Sequence, residues 1–88
     1  MKTVYVVKKT VWVVEEMVDK NTPKLISIYA TKSDMLSSVK SGDYCNLLWT
    51  NDGILHFSKG TVDSHYGVFR AREVTVEQRY TDEETVFF

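Results

Sequence analysis

One segment, residues 31–42, is the only part of the chain with a convincing helical pattern. Thr31 is a good N-cap residue, and Asp34, three positions later, completes a T-x-x-D variant of the capping box. Gly42 is a residue type that commonly follows the last helical turn. The apolar stripe at helical spacing consists of Met35, Leu36 and Val39. The pattern predicts one short helix over residues 32–41, so the rest of the fold must be built from strands.

Most of the first 30 residues are β-branched, aromatic or alternating. In residues 3–18 the apolar pattern is interrupted by Lys8 and Lys9, but without the Gly or Asn that a tight hairpin turn requires. This segment therefore predicts one long, bent strand rather than a hairpin. The turn follows at residues 19–23, where a proline suits the start of the next strand. Residues 25–30 predict that second strand, antiparallel to the first.

The second half of the chain predicts three more strands. Residues 44–50 and 54–58 flank an Asn-Asp-Gly sequence at residues 51–53, which is the strongest turn signal in the chain. After a polar loop, residues 66–80 predict the last long strand. The predicted order of elements is β-β-α-β-β-β.

This order predicts an α+β fold in one domain over residues 1–88. A small twisted antiparallel β-sheet of about five strands carries one short helix packed on one face. The predicted core consists of Met35, Leu36, Val39, Ile26 and Ile28. The opposite face would expose valine and aromatic side chains, and such patches usually mark an interface. We therefore expect a homo-oligomer. For Val86, Phe87 and Phe88, packing on the chain's own sheet and docking on a neighbouring subunit both remain open.

Composition limits the class of function. The net charge is −1, whereas a protein that binds duplex nucleic acid usually carries a basic patch, so we expect no duplex nucleic acid as partner. Cys45 is the only cysteine, which excludes an intramolecular disulfide. No apolar run approaches the roughly 18 residues that span a bilayer, and the N-terminus lacks the apolar core of a signal peptide. We expect a cytoplasmic protein with no membrane partner.

Catalytic and metal-binding patterns are weak. His56, His65 and Asp63 are the only group that could pass for a metal site, and they lack a fixed geometry. Ser64 beside His65 could suggest a hydrolase, but no nucleophile elbow is present. Polar loop and strand positions explain these residues more simply. The chain also lacks a glycine-rich phosphate loop. We predict a non-enzyme with no cofactor and no metal.

Carboxylate pairs do not change this prediction. Glu15 and Glu16 are adjacent on a predicted strand and so project to opposite faces. Glu73 and Glu77 share a face but lie about 13 Å apart at strand rise, too far for the two roles of a glycosidase.

Two arginines give the only hint of a ligand site. Arg70 and Arg72 share one face of the last strand, and arginine suits bidentate contacts to phosphate. Aromatic side chains on neighbouring strands could stack on a base. The candidate ligand-binding residues are Arg70, Arg72, Trp12, Tyr66 and Trp49. For each aromatic residue, core packing is the simpler alternative.

The overall pattern resembles a broad group of proteins. A Val/Tyr/Trp-rich opening strand leads to Ile-Ser-Ile-Tyr-Ala-Thr-Lys-Ser-Asp at residues 26–34, a short helix, the turn at residues 51–53 and a final strand with Tyr66, Arg70 and Val74. This looks like the small accessory proteins of bacteriophages and other bacterial mobile elements. The resemblance is architectural and carries no catalytic residue.

The resemblance implies a non-catalytic blocker of host machinery or host defence. Some such proteins sequester cyclic-nucleotide signals in pockets between subunits, whereas others dock on a host enzyme. The expected partners are therefore a second copy of the chain and either a small anionic nucleotide ligand or a host protein. The first alternative is sequestration of the ligand at a subunit interface, and the second is docking through an exposed strand edge or aromatic face.

Overall fold

Two long strands form the centre of the structure. The computed structural model describes residues 4–81, and the predicted packing of Val86, Phe87 and Phe88 lies outside them. The elements are β1 (Val4–Asp19), β2 (Thr22–Tyr29), α1 (Lys32–Ser41), β3 (Tyr44–Trp49), β4 (Leu55–Gly60) and β5 (His65–Thr81). The strands form one sheet in the order β2-β1-β5-β4-β3, with every neighbouring pair antiparallel. The predicted α+β architecture and the element order β-β-α-β-β-β are confirmed.

The helix begins and ends where its sequence pattern predicts. The Thr31 hydroxyl accepts a hydrogen bond from the Asp34 N–H at 3.1 Å, which satisfies one of the free donors of the first turn. At the other end, the Gly42 N–H donates to the Ser38 carbonyl at 3.0 Å. Gly42 follows the helix as predicted and has extended backbone angles (φ −82°, ψ −178°) rather than the left-handed conformation common at helix ends.

The core lies between α1 and one face of the sheet, which we call the helix-bearing face. Met35 is fully buried and Val39 is 2% exposed. The strand residues that are buried on this face are Trp12, Val14, Leu55, Phe57, Phe69 and Ala71. The rings of Phe57 and Phe69 stack with their centroids 5.8 Å apart. The predicted core residues Met35 and Val39 are confirmed, and Leu36 is partly buried at the margin of the core.

The prediction that Ile26 and Ile28 lie in the core is wrong. They are 41% and 58% exposed. Ile28 pairs with Val13, which points away from the helix, and an irregularity in the β1–β2 register leaves Ile26 without a paired residue. Tyr29 packs against the core instead, and its hydroxyl hydrogen bonds to the Ser38 hydroxyl at 2.6 Å. The strand therefore presents a tyrosine to the helix and its isoleucines to solvent.

The two central strands extend well beyond the core as a two-stranded arm, formed by residues 4–11 and 74–81. Within the arm β1 and β5 pair only with each other among the described residues. The structure measures 62 × 27 × 25 Å, with a radius of gyration of 17.5 Å. A compact chain of this length would have a radius of gyration of about 12 Å. The predicted long first strand is confirmed.

The burial of Met35 makes it a test of the core. Met35→Ala should lower the free energy of unfolding by about 2–5 kcal/mol, because it removes a fully buried side chain and leaves a cavity. Urea denaturation measures this change. Val62→Ala, at a position 71% exposed, is the control and should stay within about 0.5 kcal/mol of the parent protein. Equal effects of the two substitutions would contradict the packing described.

Candidate anion-binding site

A row of side chains crosses all five strands on the face of the sheet away from α1, which we call the helix-free face. Strand pairing places these residues side by side in the order Leu25, Glu15, Arg70, His56 and Leu48. The two ends of the row are apolar and its centre is polar. The five residues come from five different strands, and the strand order together with the pairing register brings them side by side.

Glu15 is the centre of the polar part. It is only 6% exposed, although it lies on a face that no helix covers. Its Oε1 atom accepts one hydrogen bond from Nε of Arg70 at 3.1 Å and a second from Nε of Arg72 at 2.7 Å. We call these three residues the arginine cluster. The carboxylate fixes both guanidinium groups beside each other on the sheet surface.

The arginine cluster carries a net positive charge. The hydrogen bond from Arg72 is the largest cause that lowers the pKa of Glu15; burial opposes it, and Arg70 adds to the lowering. The same contact raises the pKa of Arg72. The lowered pKa keeps Glu15 ionised at neutral pH, and this one carboxylate faces two guanidinium groups.

The outer ends of both arginines remain available. Their side chains are 26% and 39% exposed, for Arg70 and Arg72 respectively. Both contact Glu15 through Nε, and no hydrogen bond of their Nη groups is found within residues 4–81. Guanidinium Nη groups pair well with phosphate or carboxylate oxygens. The cluster can therefore accept an anion from the solvent side without losing its internal contacts.

An open groove of about 380 Å³ lies near the cluster, at the turn between β1 and β2. It is lined by Met17, Val18, Asp19, Lys20 and Val68. Met17 follows Glu15 by two residues and Val68 precedes Arg70 by two, so both lie about 7 Å along their strands from the cluster. Asp19, the acid in the groove, is hydrogen-bonded within its own turn. The Asn21 N–H donates to its carboxylate at 2.8 Å, and this hydrogen bond lowers the pKa of Asp19. The groove thus offers an apolar surface beside a cationic centre.

The structure brings together only part of the predicted site. Arg70 and Arg72 lie side by side on one face, but Trp12 and Trp49 lie on the other face of the sheet. The two indole rings pack edge to face with centroids 6.0 Å apart, and the Lys32 ammonium lies 4.7 Å from the Trp49 ring. Trp12 is 8% exposed. Within one chain, the sheet therefore separates both tryptophans from the arginine cluster.

Tyr66 also lies on a different face of the sheet from the arginine cluster. It is 64% exposed and pairs with Lys59. Lys59 follows the buried Phe57 by two residues, so this pair lies on the side of the sheet that carries the helix. Tyr66 is available to a partner molecule, but not beside Arg70 of its own chain.

Sequence reasoning missed Glu15 and His56 as neighbours of the arginines. The available signal was an acid within the apolar run of a long strand, since a buried carboxylate needs a cationic partner. Identifying that partner required the pairing of β1 with β5. Among residues 4–81 no three His, Cys, Asp or Glu side chains are grouped to hold a metal.

The arginine cluster predicts an unusual dependence of stability on pH. In the parent protein the pKa of Glu15 is lowered, so its contribution to stability is present above its ordinary pKa of 4.5 and is lost as the pH falls through the lowered value. In the double variant Arg70→Met/Arg72→Met the buried carboxylate has no cation, so its pKa should rise. The variant should be about 3–5 kcal/mol less stable at pH 7, and this deficit should shrink as the pH falls.

Urea denaturation of both proteins between pH 4 and pH 7 measures the deficit. Lys24→Met is the control, because Lys24 is an exposed cation on β2 with no ion-pair partner within residues 4–81. A deficit that stays constant across this pH range would contradict the role assigned to Glu15.

The helix found within residues 4–81 is not long and apolar enough to cross a membrane. No protein-family profile, no curated protein and no solved structure matches this chain.

Proposed function

We propose that the protein is a non-enzymatic binding protein that sequesters a small anionic ligand of the cyclic-nucleotide type at an interface between subunits. The observation that carries this proposal is the arginine cluster. Two guanidinium groups, held by one buried carboxylate, present their outer ends to solvent beside an apolar groove. A phosphate group and an adjoining base need these two kinds of surface.

The buried acid supports a binding role because it orders the arginines in advance. A free arginine loses side-chain entropy when it binds an anion, and a fixed one loses less. Glu15 holds Nε of both arginines, which leaves their Nη groups without a hydrogen bond within residues 4–81. Binding without turnover needs no general base, and the acid of the cluster is already committed to two cations.

The groove supports the apolar part of the ligand. Its volume of about 380 Å³ falls within the range of small-molecule sites, which is roughly 300–1,000 Å³. Met17 is suited to contact a ring, since its thioether is polarisable and flexible. The groove is open, however, and one sheet face cannot enclose a ligand. A second subunit that reaches the arginine cluster would supply a further wall, and in a phage accessory protein such a site would remove a host defence signal from solution.

Calorimetry with cyclic di- and trinucleotides tests this proposal. Arg70→Lys and Arg72→Lys should each weaken binding about tenfold or more, because a lysine keeps the charge beside Glu15 but loses the fork that pairs with phosphate. Arg79→Lys is the matched control on the same strand and should bind like the parent protein. Chromatography of the recovered ligand should show it intact.

Two outcomes would contradict the proposal. If no cyclic nucleotide binds at 100-fold excess over protein, sequestration of this ligand class is wrong. If the recovered ligand is degraded, the protein is an enzyme.

Docking on a host protein is a second candidate function, and the apolar margin of the helix-free face favours it. The exposed residues around the arginine cluster are Leu25 (56%), Ile28 (58%), Leu48 (66%) and Val68 (56%). Exposed apolar residues grouped on one face often mark a protein interaction surface.

Affinity purification from a bacterial lysate separates the two candidates. In the docking case, one host protein should co-purify with the parent chain and be lost with Leu25→Lys/Leu48→Lys, since a lysine placed in an apolar contact must be desolvated. Val62→Lys, at an exposed loop position, should retain the host protein. Loss of the host protein with this control would argue against docking through the helix-free face.

A further inference from the structure

The arm carries two long strand edges without a neighbouring strand. The pairing of β4 with β5 ends at Leu55 and Ala71, and the pairing of β2 with β1 ends at Tyr29 and Trp12. Beyond these points the outer edges of β1 and β5 have no strand partner within residues 4–81. A free edge presents unpaired N–H and C=O groups to any other strand. A two-stranded ribbon is by itself only marginally stable in water, so a further strand would stabilise the arm.

Charge distinguishes the two edges. The charged residues on the arm part of β1 are Lys8 and Lys9, and lysines on an edge strand oppose pairing with a copy of themselves. The free part of β5 carries charges of both signs. Glu73 precedes Val76 in the strand, whereas Glu77 and Arg79 follow it. Only the β5 edge can therefore offer opposite charges to a second copy of itself.

The register of such a pairing follows from the positions of these charges. Two antiparallel copies of one strand that continue the same sheet pair around a single central residue, because side chains alternate between faces. A centre at Glu77 places that acid opposite its own copy, which is unfavourable. A centre at Gln78 places Glu77 opposite Arg79 of the partner subunit, but Glu77 already pairs with Lys8 of its own chain at 3.6 Å and Glu73 gains no partner within residues 4–81. A centre at Val76 places Glu73 opposite Arg79 of the partner subunit, twice in each dimer. This register spans residues 72–80, which begin where β4 stops.

We propose that the free edge of β5 pairs with β5 of a second copy of this chain, in a two-fold dimer centred on Val76. The two arms then form one continuous four-stranded sheet in the order β1-β5-β5-β1. This pairing uses the same β5 edge in both copies, so it stops at two chains. Pairing of β5 with the partner's β1 would instead leave one unused edge of each kind, which allows open-ended growth. The inference does not rest on the proposed function, although the partner strand ends beside Arg72 and so reaches the arginine cluster.

Charge reversal tests the pairing directly. Neither Glu73 nor Arg79 has an ion-pair partner in its own chain among residues 4–81, so their contact is expected only between subunits. Light scattering at tens of micromolar should give twice the 10.2 kDa mass of the chain. Glu73→Arg and Arg79→Glu alone should each raise the dimer dissociation constant about tenfold, because each places like charges opposite each other twice.

The double variant Glu73→Arg/Arg79→Glu should restore the parent dissociation constant, since it exchanges the two charges across the same contact. Asp63→Lys, in the exposed loop between β4 and β5, is the control for a charge reversal outside the arm and should leave the dimer unchanged. A monomer for the parent protein would overturn the inference. Failure of the double variant to restore a dimer that both single variants weaken would also overturn it, as would a ladder of larger assemblies.

Cysteine cross-linking checks the register separately. In a Cys45→Ser background, Val76→Cys lies next to its own copy on the two-fold axis and should form a disulfide-linked dimer under mild oxidation. Glu73→Cys faces residue 79 of the partner subunit and should not cross-link. Efficient cross-linking at position 73 but not at position 76 would overturn the register.

Discussion

A helix of ten residues cannot cover a sheet of this size, and most features of the molecule follow from that mismatch. The helix α1 is about 15 Å long, whereas the central strands of 16 and 17 residues reach about 50 Å. One face of the central part of the sheet therefore has a packed core around Met35 and Val39. The other face, and both faces of the arm, must be stabilised by something other than the helix.

The helix-free face meets this constraint with a polar centre. Glu15 is buried without a helix over it because the side chains of Arg70 and Arg72 lie across it. A buried carboxylate is costly when it is alone, so two charged hydrogen bonds are needed to hold it in place. The consequence is an excess of one positive charge on an otherwise apolar surface. Stability alone does not require this excess, since a hydrophobic pair of similar size would cover the sheet as well.

The arm meets the same constraint differently. Most of its residues are exposed, and within residues 4–81 its two strands pair only with each other. Lysines on the outer edge of β1 discourage association, whereas the outer edge of β5 has charges of both signs. The two outer edges of the arm thus differ in charge pattern rather than in apolar content.

Local patterns were sufficient to predict the elements of this fold. The capping residues Thr31 and Asp34 located the helix, because a cap depends on contacts within four residues of the chain. The Asn-Asp-Gly sequence located the turn between β3 and β4 for the same reason, with Gly53 at φ +82°. The alternation of Phe69, Arg70, Ala71 and Arg72 also separated the buried side chains from the arginines.

Contacts between distant segments could not be predicted in this way. The exposure of Ile28 depends on its pairing with Val13, which points away from the helix, and no local signal marks it. The partnership of Glu15 with Arg70 and Arg72 depends on the placement of β5 beside β1, although 55 and 57 residues separate these positions in the chain. The sequence by itself therefore determined which segments are strands, where the helix lies and which residues share a face. Only the tertiary structure decided which faces meet, because strand order is selected by packing over the whole sheet rather than by any one segment.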